Sequence, residues 1–339
     1  MDRLSHEFWM QRALELSVQG KSRTQPNPMV GCVVVLDNKI IGEGYHREYG
    51  SNHAEVEAFK GLEDCIDIEN ATAYVSLEPC SHHGNTPPCA EFLANSGIGR
   101  VVTAMEDPNP KVKGRGHSLL VKNGTEVITG VLEKEAREMN RIFRHIQCSP
   151  LPYITLKWAQ SKDGFIDPDE KAIQGRGSVK ISSSDSSEIV STLRSHHNSI
   201  LVGKNTAQVD SPLLTSREEG GVDPIRIVID PECELSTNHF DIVICNSNSS
   251  HKTNAKHCET LDQGLNHTLL KLREMGVYSI LVEGGSYTLK KFIENNLWNE
   301  AYIFESPNNL SSGLKAPDLD FEDFETSQVG SDTLYHRIR

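Results

Sequence analysis

A histidine, a glutamate and two cysteines stand at spacings that suit one metal-assisted reaction. His53-Ala54-Glu55 opens a helix-like run, and about two dozen residues later Pro79-Cys80 closes a strand-like one. Cys89 follows after a loop. One imidazole and two thiolates are donors that zinc takes, and three protein ligands leave the fourth tetrahedral position to water, as in catalytic rather than closed structural sites. Zinc there draws the pKa of that water toward neutrality. A carboxylate beside it can then carry protons between water and a leaving group. That is the role expected of Glu55. Residues two apart do not share a helix face, so the metal should sit at the mouth of the helix's first turn.

The order His-x-Glu followed by Pro-Cys is the signature of zinc-dependent deaminases, in which water replaces an amine on an amidine-like ring carbon. One departure stands out. The usual second cysteine arrives in C-x-x-C, whereas here it ends the longer run Cys80-Ser81-His82-His83-Gly84-Asn85-Thr86-Pro87-Pro88-Cys89. Taken alone, the two cysteines read as chance thiols on a turn; His53, Glu55 and Pro79 upstream argue against that. His82 and His83 stay open as a replacement ligand, a substrate contact or plain loop histidines.

Elements that position these groups can be read from the apolar pattern. A helix is expected near His6–Gln19, then strands at Met29–Leu36 and Lys39–Tyr45 joined by a turn at Asp37-Asn38. A helix from His53, a strand Ala73–Leu77, a helix Cys89–Asn95, strands Arg100–Met105 and Glu126–Thr129, and a closing helix Leu132–Phe143 complete a layered α/β domain over residues 1–147. The prolines of Cys148–Pro152 mark a linker. Residues 151–339 form a second α/β series. Strands are expected at Tyr153–Ala159, Ser199–Val202, Ile225–Ile229, Ile242–Cys245, Ser279–Val282 and Ala301–Phe304, and helices at Ser184–His196, His267–Met275 and Ser286–Asn295. Leu310–Phe324 is polar and proline-bearing, and is expected to be irregular.

Composition narrows the partners. The 339 residues carry 34 Lys+Arg against 47 Asp+Glu, a net charge of −13, without the basic footprint that a nucleic-acid binder needs. Small anionic substrates remain compatible, because a few local cations can serve a pocket. The N-terminal stretch lacks the apolar core of a signal peptide, and no apolar run is long enough to span a bilayer. These features lead us to expect a cytoplasmic protein with reduced thiols. Cys32, Cys65, Cys148, Cys233, Cys245 and Cys258 then read as ordinary thiols.

Pro79-Cys80-Ser81-His82-His83-Gly84 with Thr86-Pro87-Pro88-Cys89 resembles the bifunctional deaminase–reductase family of bacterial riboflavin biosynthesis, whose loop has this lengthened form. Asn27-Pro28-Met29-Val30-Gly31, Gly42-Glu43-Gly44-Tyr45-His46 and Asp107-Pro108-Asn109-Pro110 extend the likeness over nearly the whole first domain. The resemblance implies a cytidine-deaminase-like three-layer α/β/α domain. It also implies deamination of 2,5-diamino-6-(5-phosphoribosylamino)pyrimidin-4-one at ring carbon 2, with Asn27, His46, His82, Asp107 and Asn109 as substrate contacts. Asn, Asp and Pro also simply form turns, and for Asp107 and Asn109 the two readings are evenly matched.

The second half resembles the same family's reductase domain through Pro152–Lys157, Ser161–Gly164, Leu201-Val202-Gly203, Asp210–Pro212, Pro224–Asp230 and Val282–Ser286. This implies a dihydrofolate-reductase-like α/β fold, NADPH as cofactor, reduction of the ribosyl group to ribityl, and a homodimer formed through this half. Substrate contacts implied are Lys157, Ser178, Arg194, Leu214, Arg217 and Glu283; cofactor contacts are Ala159, Thr206, Asp210, Gly284, Gly285 and Ser286. From the residues alone, the glycines permit close backbone approach and Ser286 is placed to cap a helix whose N-terminus suits a dinucleotide phosphate. No residue identifies itself as a reductase acid or base, and none decides between NADPH and NADH. Two departures are visible: Lys180 replaces the family's tryptophan before Ile181-Ser182, and the Ser306–Pro317 motif lacks one of its paired glycines. Two other readings therefore stand beside the first. One is a single-function deaminase with an impaired C-terminal domain; the other is a zinc-stabilised binding protein without turnover.

Overall fold

Asp37 and Asn38 both take positive φ, 50° and 58°, the pair of left-handed residues that a two-residue hairpin turn requires. They join β1 (Gly31–Leu36) to β2 (Lys39–Tyr45). The computed structural model describes residues 4–62, 67–81, 87–110, 112–168, 180–217, 221–235, 239–246, 257–261 and 263–339. Its chain divides into two compact units, Met1–Ser149 and Pro150–Arg339.

In the first unit α1 (His6–Ser17), capped by the Ser5 hydroxyl, precedes the hairpin. Then follow α2 (Ala54–Phe59), β3 (Thr72–Val75), α3 (Cys89–Ser96), β4 (Arg100–Thr103), α4 (Arg115–Lys122), β5 (Glu126–Thr129), α5 (Glu133–Met139) and α6 (Arg141–Cys148). The sheet runs β2-β1-β3-β4-β5, with β3, β4 and β5 parallel. Successive side chains on a strand point to opposite faces, and β1 divides its load accordingly. Val33 and Val35 pack with Trp9, Met10, Ala13 and Phe143, while Cys32 and Val34 pack with Ala54, Ala58, Leu93 and Leu120. A sheet covered on both faces explains why its strands read as nearly continuous apolar runs.

Two expectations need correction here. The single helix expected over Leu132–Phe143 is broken at Asn140, whose side chain leaves the helix pattern to bond both backbone groups of Met29. Helix α4 was not foreseen at all.

The second unit carries β6 (Tyr153–Ser161), β7 (Phe165–Pro168), α7 (Ser184–His196), β8 (Ser199–Gly203), α8 (Lys204–Asp210), β9 (Ile225–Ile229), β10 (Ile242–Cys245) and β11 (His257–Thr260). Next come α9 (Leu265–Glu274), β12 (Ser279–Val282), α10 (Ser286–Glu294), β13 (Glu300–Ser306), β14 (Gly313–Lys315), β15 (Glu325–Val329) and β16 (Asp332–Ile338). Its large sheet is ordered β11-β10-β9-β8-β12-β6-β13-β16-β15. All neighbours are parallel up to β13; β16 and β15 are antiparallel. Leu156 and Trp158 face α9 and α10. Thr155 and Lys157, one residue out of phase, therefore face the α7 side, where Leu193, Ile200 and Leu281 pack. Most of Leu310–Phe324 is irregular as expected, but β14 pairs with β7 inside it.

Strand β2 lies so close to α2 that only glycine fits between them. A Cβ at Gly44 would sit 2.4 Å from the Ala58 nitrogen and 2.5 Å from the Ala54 carbonyl. Both are backbone atoms of the helix that begins at His53 and cannot swing aside. Gly44→Ala is thus expected to destabilise the first unit by about 1–3 kcal/mol through overpacking. Thermal unfolding would read this as a lowered transition, and an unchanged profile would mean α2 does not rest on this strand.

Candidate functional site

His53 is the N-cap of α2, so its ring stands at the helix mouth rather than along the flank. Cys80 follows β3, and Cys89 is the first residue of α3. Helix starts and a strand end thus converge on one point. Donor atoms of His53, Cys80 and Cys89 all lie within 4.8 Å of one another. His53 Nδ1 is 3.1 Å from Cys89 Sγ and 3.6 Å from Cys80 Sγ, and the Cys89 N–H donates to Cys80 Sγ at 3.2 Å. The Cys89 thiol and His53 hold the Cys80 thiol down to about 4, against the opposing pull of burial. Cys89 is pushed up, first by Cys80, then by burial and by Glu55. The two thiols are thus driven in opposite directions by their contact. A divalent cation lets both ionise, and a thiolate pair with an imidazole is a zinc donor set. The residues fit the metal.

Glu55, in the first turn of α2, is buried at 3% exposure. Burial pushes its carboxyl up; His53 pulls it partly back and Cys80 adds to the rise. A carboxyl biased toward its protonated form beside a metal cluster is suited to proton transfer.

The same cluster opens into a cavity of about 430 Å³ whose lining includes Asn27, His46, His53, Glu55, Cys80, Asp107 and Asn109. His46 Nδ1 bonds the Asn52 carbonyl at 3.0 Å, and its Nε2 lies 3.2 Å from the Asn27 amide nitrogen. A carbonyl only accepts, so Nδ1 carries the proton and Nε2 accepts from Asn27. Burial lowers the His46 pKa and favours this neutral form. Asp107 Oδ1 accepts the N–H of Asn109 at 2.8 Å. Of the first-unit residues singled out in the sequence, Cys89 lies behind the lining, and His82 falls outside the described residues. Glu78, buried on the same wall, was missed. Its one sequence signal was a charge at the end of an otherwise apolar strand run.

In the second unit four of the expected residues meet. Glu283 accepts two hydrogen bonds from Arg194, Nε to Oε1 at 3.0 Å and Nη2 to Oε2 at 2.6 Å, the paired geometry that guanidinium and carboxylate favour. Arg194 Nη1 also donates to the Thr215 carbonyl at 3.3 Å. Burial works to raise the Glu283 pKa, but Lys157, Arg194 and Arg217 together outweigh it and hold the carboxyl below its ordinary range. Burial lowers the pKa of Lys157; Glu283 opposes that, and Arg194 and Arg217 reinforce it. Three cations around one carboxylate leave an excess of positive charge. That is an anion site.

The expected cofactor residues gather at the C-terminal ends of β8 and β12, where open parallel sheets bind ligands. Added Cβ atoms at Gly203 and Gly284 would lie 2.4 Å and 2.8 Å from the Thr288 side chain, and one at Gly285 would lie 3.3 Å from Thr206 Oγ1. The glycines let α10 begin directly against the strand ends, presenting its first N–H groups there. Ser286 does not cap α10, contrary to expectation: extended Gly285 takes the N-cap place and Ser286 is already helical. Leu214 offers no side chain to a ligand. Its side chain is 1% exposed in the core around Leu193 and Ile200, so only its backbone remains for a ligand. Ala159 lies two residues beyond Lys157 on the same strand face. Asp210 ends α8, its carboxyl raised by burial and by Asp167. Ser178 lies outside the described residues, and Lys180 is exposed.

Residues 4–105 match the cytidine and deoxycytidylate deaminase zinc-binding region, and residues 152–318 match the RibD C-terminal domain. The chain is 38% identical over 338 residues to riboflavin biosynthesis protein RibD of Aquifex aeolicus (strain VF5), covering 94% of this chain and 92% of that one. It is 37% identical to the RibD of Bacillus amyloliquefaciens, covering 92% and 87%. A solved structure of a diaminohydroxyphosphoribosylaminopyrimidine deaminase/5-amino-6-(5-phosphoribosylamino)uracil reductase from Thermotoga maritima superposes with a TM-score of 0.87 at 32% identity, over 98% and 97% of the chains. The chain belongs to the RibD family. It is a bifunctional enzyme of riboflavin biosynthesis, with a zinc-dependent deaminase domain followed by an NADPH-dependent reductase domain of the RibD fold. Among the described residues no helix is long and apolar enough to cross a membrane.

The Glu283 pair sets a pH dependence for this RibD reductase domain. A carboxyl held low in the fold stabilises it above the unfolded-chain pKa of roughly 4.3, and that contribution is lost as pH falls through the folded value. Glu283→Gln strands Arg194 and Lys157. It is expected to lower stability at pH 7 by roughly 3–5 kcal/mol, as for other broken buried pairs. The gap from the parent protein should narrow below about pH 4. Urea unfolding across that range checks both; a gap independent of pH would remove the charge argument.

Proposed function

We propose that the first-unit cavity takes 2,5-diamino-6-(5-phosphoribosylamino)pyrimidin-4-one and replaces the amine on ring carbon 2 with oxygen, releasing ammonia. The observation that carries this reading is the buried Glu55 carboxyl, set against the His53–Cys80–Cys89 cluster at the floor of a pocket lined by Asn27, His46, Asp107 and Asn109. Zinc held by those three ligands supplies the Lewis acidity that lets water attack at neutral pH. Glu55 takes a proton from the attacking water and gives it to the adjacent ring nitrogen. It then takes the remaining proton from the newly added hydroxyl and gives it to the departing amine, so both water protons end on nitrogen. Its burial supports this shuttle, because a carboxyl with a raised pKa holds the transferred proton more readily than a free carboxylate. His46, neutral with its proton on Nδ1, keeps Asn27 turned toward the pocket. His82 is assigned to the substrate by the motif alone.

In the second unit Lys157, Arg194 and Arg217, with excess positive charge over Glu283, are assigned to the phosphoribosyl part of the deaminated product. Gly284, Gly285, Ser286 and Thr206 are assigned to NADPH, with Ala159 and Asp210 at its margins and Ser178 and the Leu214 backbone toward the substrate. The cofactor performs the hydride chemistry, and the protein orients sugar against it. A homodimer through this unit, a cytoplasmic setting and the absence of nucleic-acid or membrane partners belong to the same proposal. The net charge of −13 supports the exclusion of nucleic acid.

Glu55→Gln is expected to retain zinc while ammonia release falls on the order of 100- to 10,000-fold. NADPH oxidation on the deaminated product should not change. Metal analysis beside the two turnover assays decides it, and undiminished ammonia release would end the proton-shuttle assignment. Sedimentation should give twice the chain mass; a monomer at working concentration would remove the dimer.

A further inference from the structure

Glu78 takes no part in the chemistry above, yet its carboxylate, two residues before Cys80, accepts three backbone N–H groups. It is 3% exposed and precedes Pro79-Cys80. Its Oε2 accepts the backbone N–H of Asp107 at 3.1 Å and of Gly114 at 2.9 Å, and its Oε1 accepts that of Gly116 at 2.9 Å. Its own N–H donates to the Met105 carbonyl at 2.9 Å. Two of these amides belong to the start of α4, whose N-cap is Gly114 and has no side chain to offer. A carboxylate brought from a distant strand end takes that place, where unpaired N–H groups and the helix dipole favour an anion. Gly116 makes the approach feasible, since a Cβ there would lie 2.1 Å from the Pro79 carbonyl. One side chain thus fastens both ends of the segment 107–116 to the residue two before the metal ligand Cys80. That segment carries Asp107 and Asn109 into the cavity.

We propose that Glu78 is a positioning residue for deamination, setting the distance between the substrate-facing loop and the metal site. This rests on the reading that Asp107 and Asn109 meet the substrate. With its oxygens committed to three amides, Glu78 acts through that loop and not on the reacting atoms. Glutamine at this place keeps one acceptor oxygen and turns the other into a donor, so at least one buried N–H faces an NH2 group. Aspartate keeps both acceptors on a shorter arm.

The test uses the full-length, zinc-loaded chain and the variants Asn109→Ala, Glu78→Gln, Glu78→Asp and the Asn109→Ala/Glu78→Gln pair. Ammonia release is followed for kcat and KM, metal is measured, and NADPH oxidation on the deaminated product reports on the other unit. Glu78→Gln is expected to raise KM roughly tenfold with kcat within about threefold, the pattern of lost ground-state alignment, while zinc and NADPH oxidation hold. Glu78→Asp should recover part of the loss. The double variant should be no worse than the poorer single one, as for residues acting through one element. An unchanged KM in Asn109→Ala would overturn the contact reading and the proposal with it. A raised KM in Asn109→Ala but not in Glu78→Gln would overturn the proposal alone. Loss of zinc and kcat in both Glu78 variants at unchanged KM would also overturn it, making Glu78 a support for Cys80 only.

Discussion

Two thiols and an imidazole crowded within 4.8 Å cannot titrate as independent groups. Their contact draws the Cys80 thiol low and pushes the Cys89 thiol high. The fold enforces this crowding by starting two helices and ending one strand at the same point. His53 caps α2, Cys89 opens α3, and Cys80 follows β3. Close packing of α2 on the sheet serves that convergence. Gly42 and Gly44 let α2 lie on the sheet, each leaving no room for a Cβ beside helix backbone. The first turn of α2 then buries Glu55 against the cluster, and burial gives that carboxyl its raised pKa.

The reductase unit solves the inverse problem. Its sheet face beneath α7 places Lys157 on β6 beside Glu283, just past the end of β12, and α7 brings Arg194 over both. A carboxylate paired with one guanidinium would be neutral and self-contained. With Lys157 and Arg217 added, the group stays short of negative charge, and burial weakens the hold of Lys157 on its proton. In the proposed reading an anionic ligand balances this excess of positive charge.

The metal trio and Glu55 were legible because residue type and spacing carry their chemistry directly. So were the hairpin at Asp37-Asn38 and most buried strands, whose apolar runs leave few alternatives. Helix α4 was not, because Gly114 and Gly116 read as helix breakers. One of them takes φ +77° at the N-cap, and the other clears the Pro79 carbonyl. Strands β15 and β16 were missed for a different reason. They form an antiparallel margin of the sheet, and β15 is largely exposed, so no apolar alternation marks it. Glu78 was hidden because its partners are backbone amides about 30 to 40 residues away, and amides leave no trace in residue type. Leu214 shows a different limit, a motif position whose side chain belongs to the core and which leaves only backbone for a ligand.

The charge balance of the whole chain gives these local arrangements their reach. An excess of thirteen negative charges repels anions in general. A phosphorylated substrate therefore approaches productively only where positive charge is concentrated and partly desolvated, because low-dielectric walls focus the field of such a cluster. Lys157 on β6, Arg194 on α7 and Arg217 in the loop after α8 provide that concentration around Glu283 in the reductase unit. The deaminase cavity has no comparable cluster among its described lining residues, which are mainly neutral, acidic or metal-directed. In the proposed reading, recognition there falls to hydrogen bonds with Asn27, Asp107 and Asn109, which act only at fixed distance. That makes the anchoring of the loop, more than its charge, the feature on which substrate alignment depends.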